Sequence, residues 1–138
     1  MAAELFVDTS AWYPIAVPSH SDHEILAEAL EVQIRRGRRI VTTNLIVAET
    51  YALLLSRTHR QAALGFVRAV RKSPNEVVTA TPDLEERAIT HWLERYDDQD
   101  FSLADAVSFE VMSGRGIREA LTLDRHFSAA GFVMIPGS

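Results

Sequence analysis

Five short apolar runs, each closed by polar or turn residues, punctuate the chain. They are Leu5-Phe6-Val7, Ile40-Val41-Thr42, Glu76-Val77-Val78-Thr79, Ala120-Leu121-Thr122-Leu123 and Phe132-Val133-Met134-Ile135. Runs this short and unbroken predict strands buried on both faces, as in a parallel sheet. The segments between them carry apolar residues at helical spacing. Ser21 and Glu24 stand at capping-box spacing before Ile25, Leu26, Ala29, Leu30 and Val32, with Gly37 as the stop. Thr43 or Asn44 caps the next helix, whose stripe is Leu45, Ala48, Ala52 and Leu55, with Val47, Tyr51 and Leu54 beside it. Thr58 and Gln61 repeat the capping-box spacing ahead of Ala62, Ala63, Phe66, Val67 and Val70, and Pro74 forbids continuation. Thr81-Pro82 opens a helix that buries Ala88, Ile89, Trp92, Leu93 and Tyr96. After the polar break Asp97-Asp98-Gln99-Asp100, Ser102 caps a last long helix, which Gly114 and Gly116 close. Trp12-Tyr13-Pro14 begins a loop that runs to Ser21.

This alternation predicts an α/β fold: a three-layer α/β/α sandwich around a central parallel sheet of about five strands, joined by right-handed crossovers. No internal repeat, low-complexity tract or linker interrupts it, so residues 1–138 read as a single domain. A hydrophobic content of 47% belongs to an ordinary globular protein. No apolar run approaches the ~18 residues of a membrane helix, and the N-terminus lacks the layout of a signal peptide. The absence of cysteine excludes disulfides, thiolate metal sites and thiol nucleophiles. A cytosolic location is the expectation. Fourteen basic residues against 19 acidic ones give a net charge of −5, which argues against gripping nucleic acid by bulk charge. Local contact stays open, and the Arg35, Arg36, Arg38 and Arg39 cluster suits either a helix C-terminus or RNA.

Asp8, Glu49, Asp105 and Asp124 change the picture. Asp8 and Asp124 close apolar strands, while Glu49 and Asp105 fall early in helices. In a parallel sheet, strand C-ends and the N-ends of the following helices share one edge, where ligands bind. Three of these acids also have an ordinary role available. Asp8 can cap a turn, Glu49 can complement a helix dipole, and Asp105 can complete a capping box with Ser102. Glu49, however, sits among apolar neighbours from Leu45 to Leu55, and a carboxylate buried there is costly unless a cation pairs it. Two carboxylates about 4 Å apart repel by about 4 kcal/mol at an effective dielectric of 20, so the group needs a counter-charge. Oxygen-only ligands suit Mg²⁺ or Mn²⁺. An activated water and a polarised phosphate are then the ingredients of phosphodiester hydrolysis.

Four blocks carry a family resemblance. Phe6-Val7-Asp8-Thr9-Ser10-Ala11, Asn44-Leu45-Ile46-Val47-Ala48-Glu49, Phe101-Ser102-Leu103-Ala104-Asp105-Ala106 and Leu121-Thr122-Leu123-Asp124-Arg125-His126-Phe127 resemble, in order, the acidic blocks of PIN-domain ribonucleases, and among these the VapC-like toxins of type II toxin–antitoxin systems. The resemblance implies a Mg²⁺- or Mn²⁺-dependent endonuclease acting on RNA, restrained by a cognate antitoxin and assembled as a homodimer. It makes Asp8 and Asp105 direct ligands and brings in Glu49 and Asp124 through water. Ser10 and Thr122 become hydroxyls that orient the acids or the water. Asp100 is either a supporting acid or a turn residue. His126 receives no acid–base role, since a metal-activated water needs no histidine base. Trp12 and Tyr13 suit a partner interface or the core equally. The alternative is a non-catalytic PIN-like module that binds RNA or a partner. A phosphoryl-accepting receiver domain fits poorly, because Thr9-Ser10 rather than a second acid follows Asp8, and Lys72 precedes the third strand.

Overall fold

Leu5, Phe6 and Val7 point alternately to opposite sides of their strand, yet all three are fully buried, so helices must cover both faces of the sheet they belong to. The computed structural model describes residues 3–137. Its strands are β1 (Glu4–Val7), β2 (Arg39–Thr43), β3 (Asn75–Val78), β4 (Glu119–Leu121) and β5 (Val133–Ile135). They pair in parallel in the order β3-β2-β1-β4-β5. The register sets Leu5 opposite Ile40 and Val7 opposite Leu121, which aligns the ends of β1 and β4. From β1 the chain builds outward to β3, then crosses back to β4 on the other side of β1. The topological switch therefore lies between β1 and β4, where open α/β sheets present their ligand crevice.

The helices are α1 (Thr9–Ala16), α2 (His23–Arg35), α3 (Asn44–Arg57), α4 (Arg60–Ala69), α5 (Pro82–Ala88), α6 (Leu103–Arg115) and α7 (His126–Ala129). Helix α5 runs on into a π-helical stretch, Ile89–Glu94. Contacts among α1 to α4 form one helical group, and contacts among α5, α6 and α7 form another, giving the expected three layers. Beneath the second group Phe109 packs edge-on against Phe101, Trp92 and Phe127, and Phe127 in turn meets Phe6 of β1. Trp92 is thus core, as its helical spacing implies. Among the described residues no helix is long and apolar enough to cross a membrane.

Several local expectations are corrected. The loop expected from Trp12 is instead helix α1, with Asp8 as its N-cap and Pro14 inside it. Burial of Ala11 and Trp12 outweighs the proline's missing N–H. Trp12 is a core residue and Tyr13 is half-buried. The Ser21–Glu24 box does not form, since α2 starts after Asp22 without a side-chain cap. Thr58 finishes α3, its hydroxyl donating to the Leu54 carbonyl, while His59 Nδ1 caps α4. Strand β4 stops at Leu121, so Asp124 lies in the turn beyond it. Three of the four arginines near the end of α2 engage acids: Arg35 meets Glu31, Arg38 meets Glu119 at 2.8 Å and Arg39 lies 3.7 Å from Glu76. Arg38 and Arg39 sit at the N-terminal edge of the sheet, opposite the end that carries Asp8.

One buried polar contact ties α1 to the sheet. The Trp12 indole donates to Thr42 Oγ1 at 3.3 Å, and that hydroxyl donates to the Val7 carbonyl at 2.9 Å. Thr42→Val strands the indole N–H in the core. It is expected to destabilise the fold by about 1–3 kcal/mol in urea unfolding, and an unchanged midpoint would refute this anchoring role.

A candidate metal centre at the strand ends

Asp8 begins where β1 ends. Its backbone has left the strand, its carbonyl accepts the first turn of α1, and its side chain caps that helix from a site only 4% exposed. Three donors converge on one carboxylate oxygen, Oδ2: the Ser10 N–H at 3.3 Å, the Ser10 hydroxyl at 2.8 Å and the Thr122 hydroxyl at 3.0 Å. Each hydroxyl is itself fixed from behind. Ser10 Oγ accepts the Leu123 N–H at 2.8 Å, and Thr122 Oγ1 accepts the Asp124 N–H at 2.9 Å. A hydroxyl that accepts a backbone N–H has its single proton left to give, and here it goes to Asp8. Ser10 and Thr122 thereby lock the end of β1 to the turn after β4.

Asp105 lies in the first turn of α6. Ser102 Oγ accepts the Asp105 N–H at 3.0 Å while Asp105 Oδ2 accepts the Ser102 N–H at 3.1 Å, the capping box foreseen from their spacing. The same Oδ2 lies 2.9 Å from Nδ1 of His126. Asp124 caps the turn into α7 by accepting the His126 N–H on Oδ1 at 2.9 Å. Ligand atoms of Asp105, Asp124 and His126 all fall within 4.8 Å of one another. Among the described residues no hydrogen-bond donor reaches Oδ1 of Asp8, Oδ1 of Asp105 or Oδ2 of Asp124. Each acid thus spends one oxygen on the scaffold and keeps one in reserve.

The electrostatics show how little compensates this charge. Burial pushes the Asp8 carboxyl up from 3.8 to about 6 against its hydrogen bonds from Ser10 and Thr122, and the nearby charge of Asp124 pushes the same way. For His126, burial favours the neutral ring. The hydrogen bond to Asp105 and the charges of Asp124, Asp105 and Asp100 outweigh it and hold its pKa above the ordinary value. Carboxylate oxygens within 4.8 Å of one another, as those of Asp105 and Asp124 are, repel by about 3 kcal/mol or more at an effective dielectric of 20. A divalent cation would relieve this crowding, and the carboxylate oxygens of Asp105 and Asp124, with Asp8 beside them, are the hard donors such an ion prefers.

Of the acids named from sequence, Asp8, Asp105 and Asp124 share this rim, together with Ser10 and Thr122. The cluster of ligand atoms itself holds Asp105 and Asp124; Asp8 adjoins it through Thr122 and the charge of Asp124, and Glu49 does not join it. It is exposed, because α3 buries Ile46, Val47, Thr50 and Leu54 rather than the stripe starting at Leu45. The buried side chain at that level is Thr50, whose hydroxyl donates to the Ile46 carbonyl at 2.8 Å. Asp100 is exposed and reaches the site through its charge on His126. His126, given no role from sequence, turns out to contact two of the acids. Its place two residues after a turn-forming aspartate was the available clue.

Fold and rim together define a class: the PIN domain family matches residues 5–133, and the chain belongs to it. The relatives within the family are RNA-cleaving enzymes. The chain is 35% identical over 131 residues to the 23S rRNA-specific endonuclease VapC20 of Mycobacterium tuberculosis, covering 95% of this chain and 97% of that protein. It is 28% identical over 127 residues to Ribonuclease VapC26 of the same organism, covering 91% and 90%. The crystal structure of M. tuberculosis VapC20, a sarcin–ricin-loop-cleaving toxin, matches with a TM-score of 0.86 and covers 94% of this chain and 97% of its own.

The raised pKa of Asp8 has a measurable consequence for stability. Ionising a carboxyl whose folded pKa exceeds its unfolded one costs folding energy, so the penalty sets in between pH 4 and 6 and persists above. With a shift from 3.8 to about 6 it is on the order of 3 kcal/mol. Metal-free Asp8→Asn is therefore expected to melt higher than the parent protein at pH 7.5. The gain should vanish near pH 3.5, and a gain independent of pH would contradict the assignment.

Proposed function

We propose that this chain is a metal-dependent endoribonuclease that hydrolyses RNA phosphodiester bonds, with Mg²⁺ or Mn²⁺ as its ion, and acts as the toxin of a toxin–antitoxin pair. The observation that supports the reading is the clustering of Asp105 with Asp124 at the topological switch, with Asp8 beside Asp124, each acid having one oxygen free of protein donors. Asp8 and Asp105 would hold the ion directly, with Asp124 and Glu49 acting through water. Such an ion supplies an activated water and offsets charge on the scissile phosphate.

The protein's own contribution is arrangement. Ser10 and Thr122 keep Asp8 ionisable and fixed despite its burial, since their donated hydrogen bonds lower the pKa that burial raises. The Ser102 capping box sets Asp105 at the start of α6. The same acids repel an RNA phosphate unless a cation is present, which makes the site selective for the metal-loaded state. His126 need not accept a proton from water in this scheme.

The relatives named above support large-subunit ribosomal RNA as the substrate, cut within the sarcin–ricin loop. A cognate antitoxin, homodimeric assembly and action in the cytoplasm belong to the same proposal and rest on membership in the family. Glu49, exposed early in α3, stands on the edge where the sheet presents its strand ends, and in this reading it acts on the metal's water shell.

Incubation of purified protein with intact ribosomes, followed by primer extension on 23S rRNA, tests the reading. A single cut in the sarcin–ricin loop that requires Mg²⁺ or Mn²⁺ is expected. Asp8→Asn and Asp105→Asn should each lose more than the roughly 10–100-fold typical of indirect partners, and Glu49→Gln should fall within that range. Cleavage at the parent rate by either aspartate variant, or in excess EDTA, would overturn it.

A further inference from the structure

We infer that His126 is a positioning residue that sets the spacing of two site acids, Asp105 through its ring and Asp124 through its backbone N–H. The inference rests on the metal-dependent reading above and concerns a residue that this reading leaves without a task.

The geometry makes one residue the bridge between two elements. The His126 N–H donates to Asp124 Oδ1 at 2.9 Å, and Nδ1 stands 2.9 Å from Asp105 Oδ2 and 3.6 Å from Asp124 Oδ1. An ionised carboxylate only accepts, so Nδ1 carries the proton of the shorter contact. Among the described residues this is the one side-chain hydrogen bond that joins α6 to the turn after β4. Asp105 and Asp124 reach the rim on separate elements, 19 residues apart in sequence. Without the ring, nothing polar would fix the distance between them.

The ring is held as firmly as the bond requires. It packs edge-on against Phe101, with centroids 5.3 Å apart at 80°, and Phe101 is seated on the core residue Phe109 at 5.0 Å. A solvated surface histidine has no such brace. The contact also settles which Asp105 oxygen faces the scaffold. Oδ2 takes both the Ser102 N–H and the His126 ring, which leaves Oδ1 for a cation. The terminal torsion of an aspartate is otherwise broad, so a carboxylate with one donor fewer samples orientations that bind metal poorly. A direct nitrogen ligand fits less well. Nδ1 would have to give up both its proton and its bond to Asp105, and Mg²⁺ and Mn²⁺ favour oxygen.

The test measures Mn²⁺ affinity in the absence of RNA, by the loss of the free-ion electron paramagnetic resonance signal on binding. His126→Asn keeps an amide N–H near the Nδ1 position, whereas His126→Gln carries the same group out to the Nε2 position, and His126→Ala removes it. Affinity is expected to fall about 10-fold or more in the Ala and Gln variants and to stay within about 3-fold in Asn. In RNA cleavage the Ala and Gln defects should appear in kcat at low metal, recover at high Mn²⁺ and leave KM unchanged. The Asn–Gln comparison holds even if His126→Ala fails to fold. Unchanged Mn²⁺ affinity in His126→Gln would overturn the inference while leaving the metal site intact. Nitrogen coupling to bound Mn²⁺ in pulsed spectra of the parent protein, lost in His126→Asn, would overturn it in favour of direct ligation. A parent protein that binds no Mn²⁺ would sink the metal-dependent reading itself, and this inference with it.

Discussion

A carboxylate taken out of water at the end of the central strand governs this structure. Asp8 is almost wholly buried, and what keeps it there is a pair of hydroxyl donors, Ser10 and Thr122, contributed by the two chain segments it lies between. Those donors are held in turn by backbone N–H groups of Leu123 and Asp124. The arrangement joins β1 to β4 across the switch point, caps α1 and delivers Asp124 to the rim. Few interactions in a domain this size bear on so many elements at once.

The cost of that arrangement is electrostatic. Hydrogen bonds lower the Asp8 pKa, but burial and Asp124 raise it further, and the balance puts it at about 6, so that at neutral pH the acid is mostly ionised at a cost to folding. Asp105 and Asp124 crowd the same space from other elements. A purely structural site would pair such charges with arginine. Here Arg38, Arg39 and Arg115 are engaged with Glu119, Glu76 and Glu4 at the opposite edge of the sheet, so the rim is left without their charge. These three arginines stand away from the acidic centre, which favours a mobile cation as its counter-charge.

Much of this was legible beforehand, for identifiable reasons. Strands β1 and β2 announced themselves because residues buried on both faces need unbroken apolar runs. The Ser102–Asp105 box was legible because its hydrogen bonds are local, spanning three residues. Local signals failed where a distant contact decided the outcome. Pro14 reads as a helix breaker, but α1 persists because Trp12 finds Thr42 and Phe66. The short α7 carries no periodicity long enough to read. On α3, apolar residues surround the helix so evenly that the buried face could not be read from spacing. Thr50, facing Thr9 of α1 at 3.2 Å, shows that the interior runs through it and leaves Glu49 outside.

By itself the sequence determined the strands, most of the helices and their parallel arrangement, since these follow from residue type and from spacings within a single element, and it marked four acids as candidates. It narrowed the candidate chemistry as well, because carboxylates without cysteine suit a hard cation. Tertiary structure alone decided which acids meet, because convergence depends on the register of β1 with β4 and on where α6 begins above them. It also decided which oxygen of each acid remains free and gave His126 its place between two of them. Such outcomes turn on hydrogen bonds between residues up to 114 positions apart, and no window along the chain contains both partners.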